Sequence, residues 1–182
     1  MNTASPFWET VKMFVLAFII VLPIRYFIVQ PFRVQGASME PTFYERDYLL
    51  IDEISYRFNE PRRGDVVVFR YPEDPQEHFI KRLIGLPGET VHIADGNVSI
   101  TDAAGNTKIL KESYLPNYVK TVGWTVNDIT LKPNEYYFLG DNRNGSKDSR
   151  VFGPVNKNFI TGRVIFRGYP FNNIGTVQTP AY

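Results

Sequence analysis

Residues 13–29 read MFVLAFIIVLPIRYFIV, seventeen positions with one charge, Arg25. Nothing else in the chain constrains its fold as strongly. As a helix rising about 1.5 Å per residue the run reaches about 26 Å, close to the ~30 Å hydrocarbon core of a bilayer. Lys12 and Arg25 have stems long enough to snorkel toward headgroups, and Trp8 and Tyr26 carry the amphipathic rings that favour interfaces. The run is expected to be a single transmembrane anchor behind a short N-terminus, residues 1–12. A cleaved leader fits less well, because the only nearby Ala-bounded site, after Ala37, has the bulky Gln35 at its minus-three position. A buried core helix fits less well too, because no comparable apolar helix follows for it to pack on. Charge leaves the orientation open: Lys12 on one side faces Arg25 and Arg33 on the other.

Beyond the anchor the pattern changes to short β-branched and aromatic runs broken by Gly, Pro, Asn and Asp. Strands are expected over 48–54, 65–70, 78–83, 90–93, 98–101, 135–139 and 163–167. Asp95-Gly96-Asn97 marks a tight hairpin and Ala104-Gly105-Asn106 another reversal. No helix-period segment separates the strands, so a parallel sheet is disfavoured and an antiparallel sandwich or partly open barrel is expected. The fold class is therefore mainly β, an antiparallel domain over residues 30–182. Its stretch from about 102 to 132 is less regular, a small lobe or an excursion from the main sheet. With 14 Phe, 11 Tyr and 2 Trp the chain has the aromatic content that strands favour.

Several kinds of chemistry drop out at once. A net charge of +1 with scattered basic residues provides no field for nucleic acid. The absence of Cys removes disulfides, thiolate metal sites and thiol redox chemistry. The two histidines, His78 and His92, make no HExxH helix and lie near no G-x-S-x-G elbow, so both read as strand-surface residues. No cofactor is indicated.

Four segments carry the sharper signal: Ser38-Met39-Glu40-Pro41-Thr42, Arg63-Gly64-Asp65-Val66-Val67, Lys81 through Glu89 (KRLIGLPGE), and Gly140 through Arg150 (GDNRNGSKDSR). Singly each is weak, since a lone Ser38 is most often a turn residue and Lys81-Arg82 a solvated pair. Together, in this order and behind an anchor, the four closely resemble the type I signal peptidases, a likeness that runs from the anchor to Gly153-Pro154. The resemblance implies a signal-peptidase/LexA-like β fold and a serine endopeptidase with a Ser/Lys dyad. Ser38 matches the nucleophile, Lys81 the general base and Ser146 the hydroxyl that orients the lysine. Arg82, Asp141, Asp148 and Arg150 match structural ion pairs that hold the Lys81 and Ser146 segments together. Phe32, Val34, Met39 and Ile80 match the apolar pocket that binds substrate. Gly36 falls in the oxyanion-hole region, where some members carry a Ser, so the second oxyanion donor stays open.

The chemistry sets its own demand. Free lysine has a pKa of about 10.4, and service as a base near neutrality requires lowering it by about 3, roughly 4 kcal/mol of unfavourable charging. Burial provides this, and by period two Lys81 shares a strand face with Phe79 and Leu83. The resemblance further implies secretory preproteins with small residues at minus one and minus three as substrates. It places a single-pass protein in the cell membrane, with its N-terminus cytoplasmic, its β domain extracytoplasmic and the secretion translocon nearby. The few residues between the anchor and Ser38 keep the nucleophile near the bilayer, and Phe32, Phe43 and Tyr44 are expected to rest on lipid. Two rival readings remain: a self-cleaving repressor-type protease, whose DNA-binding domain is replaced here by the apolar run, and a silent membrane-anchored binding module, which has no physical reason to keep both Ser38 and Lys81.

Overall fold

The computed structural model describes residues 6–27, 29–123, 128–180 and 182, with residues 20–27 and 29 traced through the backbone alone. Helix α1, Pro6–Phe27, has 22 residues and leads almost directly into strand β1, Val29–Arg33. The helix therefore starts earlier than the apolar run, and the run's last residue, Val29, belongs to a strand. Pro31 is tolerated in β1 because β1 is an edge strand, where a missing N–H breaks no ladder. Met13, Phe14, Val15, Leu16, Phe18 and Ile19 all stand exposed on α1. Among the described residues no helix is long and apolar enough to cross a membrane. The span expected over 13–29 is thus not displayed by the fold itself.

The remaining strands are β2 Tyr48–Asp52, β3 Val66–Tyr71, β4 Asp74–Gly85, β5 Thr90–Ala94, β6 Asn97–Thr101, β7 Thr107–Ile109, β8 Asp128–Thr130, β9 Glu135–Leu139, β10 Val155–Asn156, β11 Ile160–Tyr169 and β12 Gly175–Thr176. Short helices α2, Ser55–Phe58, and α3, Ser149–Phe152, punctuate them. The larger sheet runs β1-β2-β11-β3-β4-β9-β10, with β12 added on β11, and the smaller runs β7-β6-β5-β8. Every described pairing is antiparallel.

The Asp95-Gly96 hairpin closes as its sequence predicts: Asp95 and Gly96 have φ of 53° and 82°, the left-handed pair a two-residue turn requires. At the second reversal the Asp102 carboxylate accepts the N–H groups of Ala104 and Asn106, each at 2.9 Å. The excursion over 102–132 is more regular than expected, because β7 and β8 flank the β5–β6 hairpin on either side. Each of those strands has three residues, too few for a two-residue period to show.

Strand β3 explains the layering. Its alternating side chains go to two different cores: Val66 and Val68 join Leu49, Ile51 and Val164, while Val67 and Phe69 join Leu83, Phe138 and Val155. A third core, with Ile84, Val91, Ile100 and Leu139, joins the small sheet to β9. The consequence for function lies in β4. It pairs with β3 from Asp74 to Arg82, but with β9 only over Arg82 to Gly85. The stretch before Arg82 therefore has a main-chain edge that β9 does not cover.

Candidate active site

The loop between β1 and β2 carries Ser38. Its base is closed by Val34 N–H donating to Asp47 O at 2.9 Å and Arg46 N–H to Val34 O at 3.0 Å. Met39 and Phe43, both 0% exposed, plug it into the core. Gly36, at φ +80°, supplies a left-handed residue that a side chain would strain. Phe43 therefore does not rest on lipid as expected. It lies beneath the Arg167 guanidinium, 4.7 Å from its ring centre, whereas Tyr44 is exposed.

Lys81 lies where β4 is about to meet β9. Its amine is 2.8 Å from Ser38 Oγ and donates at 2.9 Å to the Ile80 carbonyl. The Phe79 ring centre lies 4.9 Å away. The side chain is 4% exposed. Burial pushes its pKa down to about 8, against the opposing pull of the Asp148 and Asp141 charges.

The next residue, Arg82, is buried on the opposite side of β4. Its Nε and Nη2 donate to the two Asp141 carboxylate oxygens at 2.9 and 2.6 Å, and Nη1 donates to Gly64 O at 2.9 Å. The Tyr114 ring covers the guanidinium at 3.8 Å. Thr42 Oγ1 donates to the same carboxylate at 2.5 Å. This pair ties the Lys81 strand and the Ser38 loop to the segment Gly140–Arg150. The second expected pair is local: Arg150 donates to both oxygens of Asp148 at 2.8 Å. Asp148 caps α3 and accepts Gly140 N–H at 2.9 Å.

Several supporting residues were not legible in the sequence. Arg143 is fully buried, with Nη1 and Nη2 donating to Glu112 at 2.7 and 2.5 Å and Nε to Gly140 O at 3.1 Å. Thr121 accepts from the same guanidinium. Glu112, Tyr114 and Thr121 all come from the excursion, so the small lobe buttresses the site from behind. Arg143 stood inside a quoted segment, whereas its partners carried no local signal.

Ser146 packs against Gly140 in the same segment. Its hydroxyl is buried and has no hydrogen-bond partner among the described residues, so the contact with Lys81 implied by the resemblance is not made. The Ile80 carbonyl holds the amine instead. Ser146 nevertheless lies close: a Cβ built on Gly140 would overlap Ser146 Oγ and come within 2.5 Å of the Ser38 carbonyl oxygen. A cleft of about 780 Å³ opens over the dyad, with Phe32, Gly36, Ser38, Phe79, Ile80 and Lys81 in its walls. Of the four residues expected to bind substrate, Phe32 and Ile80 line this cleft. Val34 and Met39, 1% and 0% exposed, are core residues beneath it, because the loop needs them as its anchors. His78 is exposed at the cleft, and His92 is held by Thr101 and Asp128 on the small sheet.

The family model described as "Signal peptidase, peptidase S26" matches residues 7–169. A signal peptidase I of Leptolyngbya laminosa is 38% identical over 97% of this chain and 86% of its own length. One of Bacillus licheniformis is 33% identical over 95% of this chain and 94% of its own. A crystal structure of a signal peptidase I from Enterococcus faecalis is 34% identical and covers 58% of this chain and 97% of its own, at a TM-score of 0.47. By the family model and these two relatives this mainly antiparallel β protein is a peptidase. The chain belongs to the signal peptidase family, peptidase S26.

Proposed function

We propose that this chain is a membrane-anchored serine endopeptidase that removes N-terminal signal peptides from secreted preproteins, with Ser38 as nucleophile and the uncharged amine of Lys81 as general base. The observation that carries this reading is the 2.8 Å separation of Lys81 Nζ and Ser38 Oγ around an amine that burial has brought down to about 8. An uncharged amine has a lone pair for the hydroxyl proton and no tautomer to fix, so it needs no carboxylate behind it.

In the first half-reaction Ser38 Oγ passes its proton to Lys81 Nζ and forms a bond to the scissile carbonyl carbon, whose π electrons move to oxygen. Collapse of that tetrahedral species breaks the C–N bond, and the Lys81 ammonium returns the proton to the leaving amine. Water, deprotonated by the same amine, then attacks the acyl ester and frees Ser38. Ser146 is the hydroxyl we assign to orient the amine during turnover; its closeness to Gly140 and to the Ser38 carbonyl, with no partner to give up, supports that role.

The substrate enters extended. The edge of β4 that β9 leaves bare and the segment before Ser38 border the same cleft, which suits strand addition. Phe32 and Ile80 make an apolar wall that favours small residues at minus one and minus three. We assign the membrane anchor to the apolar run that begins within helix α1, on the composition of residues 13–29. Phe14, Leu16, Phe18 and Ile19 stand exposed on this helix, and lipid relieves that exposure. The β domain then lies on the extracytoplasmic side, where signal-peptide cleavage sites emerge.

Purified full-length protein incubated with a preprotein tests the assignment. Cleavage is expected from the parent, and a loss of at least ~10³-fold from Ser38→Ala and from Lys81→Met. The parent's rate should rise with pH through about 8, as Lys81 loses its proton. Undiminished cleavage by Lys81→Met discards the lysine as base, and undiminished cleavage by Ser38→Ala discards the serine.

A further inference from the structure

The loop that carries Ser38 is gripped by Asn142. The Asn142 side-chain Nδ2 donates to Ala37 O at 3.1 Å, and its backbone N–H donates to Ser38 O at 3.1 Å. The orientation of the amide is fixed from its other side: Asn142 Oδ1 accepts Gly145 N–H at 3.1 Å, which leaves the NH2 end facing Ala37. Gly145 lies flush against this amide, and a Cβ there would come 2.9 Å from Asn142 Nδ2. Two consecutive peptide carbonyls around the nucleophile are thus tied to one residue.

The Ala37–Ser38 peptide is trans. In a trans peptide the C=O and the following N–H point in opposite directions. Holding the Ala37 carbonyl against Asn142 therefore turns the Ser38 N–H away from the Gly140–Arg150 segment. That N–H donates to no group among the described residues, and Ser38 lines the cleft. The second hold on the Ala37 carbonyl is weaker, a turn bond from Glu40 N–H at 3.2 Å.

We infer that Asn142 is the positioning residue of the oxyanion hole: by fixing the plane of the Ala37–Ser38 peptide it aims the Ser38 N–H at the oxygen that becomes negative when Oγ attacks. It touches neither substrate nor Lys81 and acts through the backbone of the nucleophile. This inference rests on Ser38 as nucleophile, and it fits a site in which Gly36 brings no side-chain donor.

The test uses full-length protein in detergent, with Asn142→Asp and Asn142→Ala, which remove the NH2 donor, and Gly145→Ala, which presses on the amide from outside. kcat for a preprotein should fall about 10- to 30-fold in the Asn142 variants, with KM within twofold. This is less than the 10²–10³ lost with an oxyanion donor itself, because Glu40 still holds the carbonyl. A peptide aldehyde ending in alanine adds Ser38 Oγ to its carbonyl carbon and places the oxygen in the hole, the hydroxyl proton passing to Lys81 or to that oxygen. Its affinity should fall by the same factor, while that of the matching peptide alcohol, which has no such oxygen, stays unchanged. Gly145→Ala should show a smaller loss of the same pattern. The pH at which the rate rises should not move in the uncharged variants Asn142→Ala and Gly145→Ala.

Aldehyde and alcohol weakening together, a pH profile shifted in Asn142→Ala or Gly145→Ala, or kcat within twofold of the parent in the Asn142 variants would each overturn the inference. Activity in Ser38→Ala would instead remove the reading beneath it, and the two failures are distinct. If Asn142→Ala does not fold, Asn142→Asp and Gly145→Ala decide the matter.

Discussion

Lys81 and Arg82 are neighbours on β4, both cationic by nature and both almost completely buried, yet their pKa values move in opposite directions. Burial lowers the pKa of each. At Arg82 the hydrogen bonds and charge of Asp141 outweigh it and raise the pKa, so the guanidinium stays charged. Lys81 touches a hydroxyl and a carbonyl but no carboxylate, and Asp141 and Asp148 act on it only through space, so desolvation prevails. Strand alternation sends one side chain toward the network that binds three segments together and the other to the cleft. The comparison shows that depth of burial alone does not set the direction of a cation's pKa shift; a carboxylate within hydrogen-bonding distance reverses it.

The largest break in this comparison is Arg82→Met. It leaves the Asp141 carboxylate buried without its cation, and should cost about 3–5 kcal/mol of stability in chemical denaturation. The double variant Arg82→Met, Asp141→Leu should recover most of that loss. A loss below 1 kcal/mol in the single variant would show that the pair contributes little.

Lys81→Met should act in the other direction. The folded protein releases the Lys81 proton near pH 8 and the unfolded chain near pH 10.4, so between those values the unfolded chain holds the extra proton and parental stability rises with pH. Below pH 8 the parent carries the whole cost of charging a buried amine, about 3 kcal/mol. The Met variant, inactive as it should be, is expected to be more stable than the parent by up to that amount at pH 7, with the gain shrinking toward zero above pH 10. Equal stability at pH 7 would mean that the amine is not buried as described. The smallest effect is expected at Ser146→Ala. An unpartnered buried hydroxyl gives no stability, so its removal should leave unfolding unchanged within about 1 kcal/mol. Cleavage should nevertheless fall at least tenfold if the hydroxyl orients the amine during turnover. A silent Ser146→Ala would leave the Ile80 carbonyl as the only orienting group.

Much of the architecture was legible beforehand. The seven expected strands all form, most with their ends moved by a few residues, because alternation and turn residues are local properties. Strand β1 was hidden because its first residue continues an apolar run and Pro31 interrupts the rest. Strands β7 and β8 were too short to announce themselves. At the site, Phe32 and Ile80 line the cleft over the dyad. Val34 and Met39 do not, since an apolar side chain beside a nucleophile serves equally well as a pocket wall or as a peg for the loop, and type alone does not distinguish the two.

The sequence by itself determined where seven strands fall along the chain, the tight turns, the ordered segments that mark the family, and the placement of Lys81 and Arg82 on opposite faces of one strand. Only the tertiary structure decided that an amine and a hydroxyl 43 residues apart meet at 2.8 Å, that the pKa of one cation is raised beside Asp141 while that of the other is lowered to about 8, and that Asn142 grips the nucleophile's backbone. The reason is physical. Secondary structure follows from steric preferences of adjacent residues, whereas a pKa and a reactive distance depend on what distant segments bring into contact and on how completely they exclude water.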